Sequence, residues 1–294
     1  MFNIQSIPYC LGYNNSPEII NLSFIPFTHI FECSYSYIVV KETAIKQEPK
    51  WVDTHCHLQL TDYDLLSLNY ENIEYLILPG VDAESSKKAK DISSKLPVPA
   101  YWAAGLHPHD AKNLSAQKDE LLKLIAEADL IWETGLDYYR DHSSREEQRE
   151  NLTFHLERAK EFRKPIIINC RDSFSDTYDL IKNYADDFPV ILHSWTGGNK
   201  WTKKFIELGV YFSLSGILTY ETAKDLKLSV KQIPTNRLLV ETDTPYLAPG
   251  QYKGQNNKPE FIVETAKKLA ELKEITLQDL SSITISNTNT ILSR

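Results

Sequence analysis

From residue 51 onward, short apolar runs alternate with charged, helix-compatible stretches, and the alternation repeats eight times. The runs predicted as strands are Trp51–His57, Ile73–Gly80, Val98–His107, Leu130–Leu136, Pro165–Cys170, Pro189–His193, Gly209–Ser213 and Arg237–Asp243. Between them lie helical stretches such as Ala83–Lys95, Ser115–Asp129, Arg145–Arg163, Ser173–Asp186 and Glu221–Gln232. Strands alternating with helices imply βαβ units and a parallel sheet. Eight such units point to a closed (β/α)8 barrel, an α/β fold of the TIM-barrel kind that needs about 250 residues. The glycine-rich signatures of nucleotide-binding open sheets are absent. After a Pro/Gly-rich loop, Thr244–Lys258, two further helices are expected: Pro259–Leu272, and one that starts at the capping-type sequence Thr276-Leu277-Gln278-Asp279.

Residues 1–49 differ from this pattern. They are poor in charge and rich in Tyr, Phe, Ile, Ser and Asn, with one expected strand at Tyr35–Val40. They form an N-terminal extension of unassigned role ahead of a barrel domain at 50–294. The first basic residue is Lys41, so neither the basic start of a signal peptide nor the Arg-rich character of a transit peptide is seen. The four cysteines (Cys10, Cys33, Cys56, Cys170) lack CxxC spacing and read as free thiols, with a Cys10–Cys33 bridge as the alternative. The expected location is cytoplasmic, with no membrane span. A net charge of −8 argues against broad, non-specific binding to nucleic acid. It does not exclude a phosphate-bearing substrate, since bound divalent cations supply local positive charge.

In such a barrel, functional residues gather at the C-terminal ends of the strands. Those ends carry His55 and His57, His107, Glu133, Asn169 and Arg171, His193, and Asp243. Residues two apart on a strand face the same way, so His55 and His57 offer two imidazoles to one point. A carboxylate from the last strand completes a metal site, and a metal-activated water, hence hydrolysis, is the chemistry implied. The His-rich donor set suits Zn²⁺ or Mn²⁺, whereas carboxylates and water alone are expected for Mg²⁺.

The segments Val52-Asp53-Thr54-His55-Cys56-His57, Gly105-Leu106-His107-Pro108-His109, Glu133-Thr134-Gly135-Leu136-Asp137-Tyr138-Tyr139, Cys170-Arg171-Asp172, Leu192-His193-Ser194-Trp195-Thr196-Gly197 and Glu241-Thr242-Asp243-Thr244-Pro245-Tyr246-Leu247 occur in this order. Together they resemble the TatD family of metal-dependent hydrolases over about residues 51–290. The resemblance implies a distorted barrel of the amidohydrolase-like, metallo-dependent hydrolase type. It also implies a divalent-metal-dependent deoxyribonuclease, commonly 3′→5′ exonucleolytic, using Mg²⁺, Mn²⁺ or Zn²⁺, one ion or two. By similarity His55, His57, Glu133 and Asp243 hold one metal, and Glu133 bridges to a second shared with His193 and the strand-5 position. There the family has His, whereas this chain has Asn169, whose neutral amide oxygen is a much poorer ligand. The second site is therefore expected to be weak or absent.

Asp243 is the expected general base, with Glu133 beside it. Arg171 is expected to hold a phosphate oxygen, and His107 or His109 to orient the leaving group. Asp53 reads as fixing an imidazole or the strand end. His142 and His155 read as surface, and Cys56 and Cys170 as packing residues in the barrel wall. Tyr138, Tyr139, Trp195 and Tyr246 are expected near the rim, where aromatics stack on unpaired bases. The expected partner is single-stranded DNA ends, bound by a monomer. Two other functions stay open: an ester or amide hydrolase, for example one removing D-amino acids from tRNA, and a non-catalytic barrel that binds metal or a partner through residues 1–50.

Overall fold

The computed structural model describes residues 48–293. Cys10, Cys33, the expected strand Tyr35–Val40 and nearly all of the 1–49 extension lie outside the described residues. Eight strands form one parallel sheet in sequential order: β1 (Trp51–Asp53), β2 (Ile73–Pro79), β3 (Ala100–Ala104), β4 (Leu130–Asp137), β5 (Ile166–Arg171), β6 (Val190–Leu192), β7 (Tyr211–Leu214) and β8 (Leu238–Val240). The sheet curls into a (β/α)8 barrel that closes beyond the ends of β1 and β8. There Thr54 N–H donates to Val240 O, Asp243 N–H to His55 O and His57 N–H to Thr244 O, with Cys56 bridging to Thr244.

The helices are α1 (Ala83–Ser93), α2 (Leu114–Glu127), α3 (Arg145–Phe162), α4 (Phe174–Ile181), α5 (Asn199–Glu207), α6 (Lys224–Val230), α7 (Ile262–Lys273) and α8 (Leu277–Leu292). Side chains from every strand of β2–β8, among them Ile77, Ala103, Trp132, Ile167, Ile191, Tyr211 and Leu239, pack together with Ile291 of α8. Drawn from seven strands at once, this cluster is the barrel interior. Their chain neighbours, such as Leu76, Leu78, Ile166, Ile168 and Leu192, fall in the larger cluster that includes the helix side chains. That is the alternation a pleated strand requires.

Helix starts follow local chemistry. Asp82 caps α1 and Ser144 caps α3, each within a reciprocal capping box, and Thr276 accepts from Asp279 N at the start of α8. The expected helix from Pro259 begins instead as a short 3₁₀ turn, Pro259–Phe261, ahead of α7. Six of the eight expected strands are longer than those formed, β4 and β5 being the exceptions. Regular pairing in β1 stops at Asp53 and in β8 at Val240, because beyond them the rim is held by single hydrogen bonds rather than a continuous ladder.

Candidate metal centre

His55 and His57 flank Cys56, whose bridge to Thr244 keeps the local chain extended past β1. Both imidazoles therefore face the barrel mouth while Cys56 is fully buried in the outer core. The two Nε2 atoms lie 2.6 Å apart. Asp243 Oδ1 is 3.2 Å from His55 Nε2 and 3.6 Å from His57 Nε2. Glu133 Oε2 is 3.6 Å from His57 Nε2. Three ligand types thus converge from the two ends of the seam and from β4.

Glu133 reaches this point because the β4–β5 register shifts between Ile131 and Thr134. In unbroken alternation Leu130 and Trp132, both in the interior cluster, would send Glu133 to the outer face. An irregularity of this kind re-aims a side chain. Gly135, at φ 135°, follows at once, and a Cβ there would overlap the Asn169 backbone. In β5 the alternation is regular, so Ile167, Asn169 and Arg171 share the inward side and Cys170 packs outward. Burial pushes the Cys170 thiol up to about 12 and the Cys56 thiol well above its ordinary value, which leaves both protonated.

The electrostatics fit a divalent cation. His57 Nδ1 faces Pro79 O at 3.1 Å. A carbonyl only accepts, so the Nδ1 proton is fixed and the Nε2 lone pair is bare. Burial lowers His55 well below the usual histidine range and takes His57 down to about 4, so both are neutral. Glu133 is lowered to about 2 despite its burial, because His107, His57 and His193 surround it. Asp243 is raised well above the carboxylate range by burial, against the pull of His193 and with Glu241, Glu133 and Asp53 adding to the rise. A buried carboxylate against two neutral imidazoles is a donor set short of positive charge, and a divalent cation supplies it.

His193 follows β6 and stacks on His55, with ring centroids 3.9 Å apart. Its Nδ1 lies 2.8 Å from Glu241 Oε1, the same oxygen that accepts Ser194 N–H at 2.9 Å. Burial works against its charge, but Glu241, Asp243 and Glu133 together raise His193 to about 9. Glu241 has no exposed surface, and its part in holding His193 had no signal in the sequence beyond its place two residues before Asp243. Asp53 takes no part in the ligand cluster. It accepts from Thr242 N–H, Thr242 hydroxyl and His55 N–H.

The centre opens into a cleft of about 700 Å³ lined by His107, Asp137, Arg140, Arg171, Tyr246 and Leu247 among others. Asp137 organises one wall: Oδ1 accepts from Tyr139 and Arg140 N–H, and Oδ2 meets His109 Nε2 at 2.8 Å and Arg171 Nη1 at 3.8 Å. The Arg171 guanidinium lies 4.1 Å from the centroid of the exposed Tyr139 ring.

Three expectations are corrected. His155 is fully buried in α3, its Nδ1 on Asn151 O at 2.8 Å, rather than on the surface, because it lies on the face of α3 that packs against the core. Trp195 is 1% exposed and packs on Phe205 and Phe212, so it is not a rim aromatic. Tyr138 is half-buried, its hydroxyl on Asp176 and its ring under Arg145, which leaves Tyr139 and Tyr246 as the exposed aromatics of the four.

The model of the TatD related DNase family matches residues 52–293. The uncharacterized metal-dependent hydrolase YabD of Bacillus subtilis (strain 168) is 33% identical over 245 residues, covering 80% of this chain and 96% of its own. YcfH of Escherichia coli (strain K12), also an uncharacterized metal-dependent hydrolase, is 31% identical over 251 residues, covering 80% and 93%. Among solved structures, the TatD homolog YJJV from Escherichia coli K12 superposes with a TM-score of 0.75 at 24% identity, covering 83% of this chain and 98% of its own. A TatD family hydrolase from Entamoeba histolytica gives 0.72 at 23% identity, covering 83% and 98%. With the whole barrel matched, the chain belongs to the TatD family of metal-dependent hydrolases.

Proposed function

We propose that the chain is a deoxyribonuclease that cleaves phosphodiester bonds near the ends of single-stranded DNA. The observation that carries this reading is the opening of the His55–His57–Glu133–Asp243 cluster into a cleft whose wall presents Arg171, stacked on Tyr139 and anchored by Asp137. An acidic donor set beside a fixed guanidinium suits a substrate that is itself anionic. The description of the matching family as TatD related DNase supports the same substrate class.

When bound, a divalent cation held by His55, His57, Glu133 and Asp243 supplies Lewis acidity, lowering the pKa of a water and offsetting charge at phosphorus. Asp243 turns Oδ1 to the imidazoles, and its second oxygen accepts the proton of the attacking water. Arg171 holds a non-bridging phosphate oxygen through its planar fork. Tyr139 and Tyr246, exposed at 60% and 54%, offer faces to unpaired bases. The net charge of −8 limits contact to a few nucleotides. The protein acts as a cytoplasmic monomer in this reading; no helix among the described residues is long and apolar enough to cross a membrane.

The test is release of nucleotides from a single-stranded oligonucleotide across Mg²⁺, Mn²⁺ and Zn²⁺, for wild type and Asp243→Ala. Hydrolysis by wild type alone supports the proposal. A metal-loaded protein that leaves DNA intact but cleaves a D-aminoacyl ester overturns it. That second reading, an ester or amide hydrolase, draws on Asn169, because such chemistry needs only one metal.

A further inference from the structure

We infer that this barrel holds a single cation, and that His107 stands where a second would bind. The inference rests on the metal dependence of the centre and not on DNA being the substrate. By the family resemblance a second cation would take the other oxygen of Glu133, Oε1, together with His193 and the strand-5 position, here Asn169. His107 contacts two of these three. His107 Nε2 lies 3.3 Å from Glu133 Oε1 and 3.3 Å from the amide of Asn169.

The tautomer of His107 is set from its other side. His109 N–H donates to His107 Nδ1 at 3.1 Å. An imidazole nitrogen that accepts carries no proton, so the ring proton of His107 is on Nε2. That N–H has no lone pair to give a metal. It points instead at the Asn169 amide and runs alongside Glu133 Oε1. The Asn169 terminus nearest to it is Nδ2, a donor facing a donor; exchanging the two amide termini places Oδ1 there and makes the contact a hydrogen bond. The one oxygen with which Asn169 would coordinate is then occupied by His107.

The backbone of His109 is itself held. His109 Nε2 sits on Asp137 Oδ2 at 2.8 Å, and its carbonyl accepts the Ser143 hydroxyl at 2.8 Å. The His107 ring is thereby fixed with its N–H at Asn169 and alongside Glu133 Oε1. Glu133 keeps Oε2 for the cation at His57 and has Oε1 beside the His107 N–H. His107 is a positioning residue in this arrangement: it makes Glu133 a terminal ligand rather than a bridge.

The experiment is a Mn²⁺ titration of the full-length wild-type chain, with bound metal counted by elemental analysis and its coupling read by electron paramagnetic resonance. The expected result is one Mn²⁺ per chain with an uncoupled, mononuclear spectrum. The variant carrying both Asn169→His and His107→Ala is expected to bind two, with an exchange-coupled spectrum. As a measurement that does not depend on that variant folding, long-range proton–nitrogen correlation on the Zn²⁺-loaded wild type should show His107 protonated at Nε2. Two coupled Mn²⁺ in the wild type, no bound Mn²⁺, or a His107 proton on Nδ1 overturns the inference. Failure to cleave DNA leaves all three readouts standing, so the substrate and the metal count are tested separately.

Discussion

The carboxylate of Asp53 clamps Thr242 with both oxygens, Oδ1 on the backbone N–H at 2.9 Å and Oδ2 on the hydroxyl at 2.6 Å. The clamp lies across the seam that closes the barrel, one residue from Asp243 and two from His55. In Asp53→Ala the N–H groups of Thr242 and His55 lose a buried acceptor, and leaving a buried donor unpaired costs about 1–3 kcal/mol. Misalignment of the seam also separates the ligands, and loss of such a supporting group typically lowers metal affinity about 10- to 100-fold. We expect both effects, measured by urea unfolding and by calorimetric titration of the metal. A variant with normal affinity would show that the seam tolerates the loss.

His155 makes stability depend on pH. Burial lowers it to about 4 in the folded chain, against an ordinary value of 6.5. Between these values the unfolded chain takes up a proton that the folded chain does not. Stability therefore falls as pH drops from about 6.5 to about 4 and then levels, by roughly 3 kcal/mol in all from this group. His155→Phe removes that component. Its urea midpoint should change less between pH 7 and pH 4.5 than that of wild type, and equal slopes would refute the assignment.

Gly135 is intolerant of a side chain for two separate reasons. Its φ of 135° is a region that L-residues rarely adopt, and the Cβ of Gly135→Ala would overlap the backbone of Asn169. We expect a loss of at least about 3 kcal/mol in equilibrium unfolding. Metal affinity should weaken as well, because Glu133 is carried by one of the two strands forced apart.

Lys164 ends α2 from outside the helix. Its ammonium donates to the carbonyls of Ile125, Ala126 and Ala128 at 2.7, 2.7 and 2.6 Å. It satisfies acceptors that a helix end leaves open and sits at the negative end of the helix dipole. Lys164→Met keeps the aliphatic stem and removes the donors. A loss of about 1–3 kcal/mol is expected in urea denaturation, with the activity of the surviving folded protein unchanged.

The order of strands and the residues at their ends were legible because both depend on local pattern. Apolar runs bounded by charged helices give the barrel, and the inward side of β5 follows from alternation through Ile167, Asn169 and Arg171. The His55/His57 pair was also legible, although the chain is held extended there by the Cys56–Thr244 bridge rather than by a strand. What sequence could not give depends on distant partners. The aim of Glu133 comes from a register shift against β5, and the partner of Glu241 is a histidine that follows another strand. His155 looked like surface because its helix is strongly charged, with only a few positions telling which face packs inward.

The seam residues Asp53 and Thr242 are 189 positions apart in the chain. The two imidazoles come early in the chain, ahead of seven further strands. Their carboxylate partner arrives last, on the segment that also shuts the barrel. A chain truncated before Thr242 has neither closure nor a complete ligand set. Capture of the cation thus waits for the segment after β8, so ion uptake itself reports that the last strand and the seam beside it have formed.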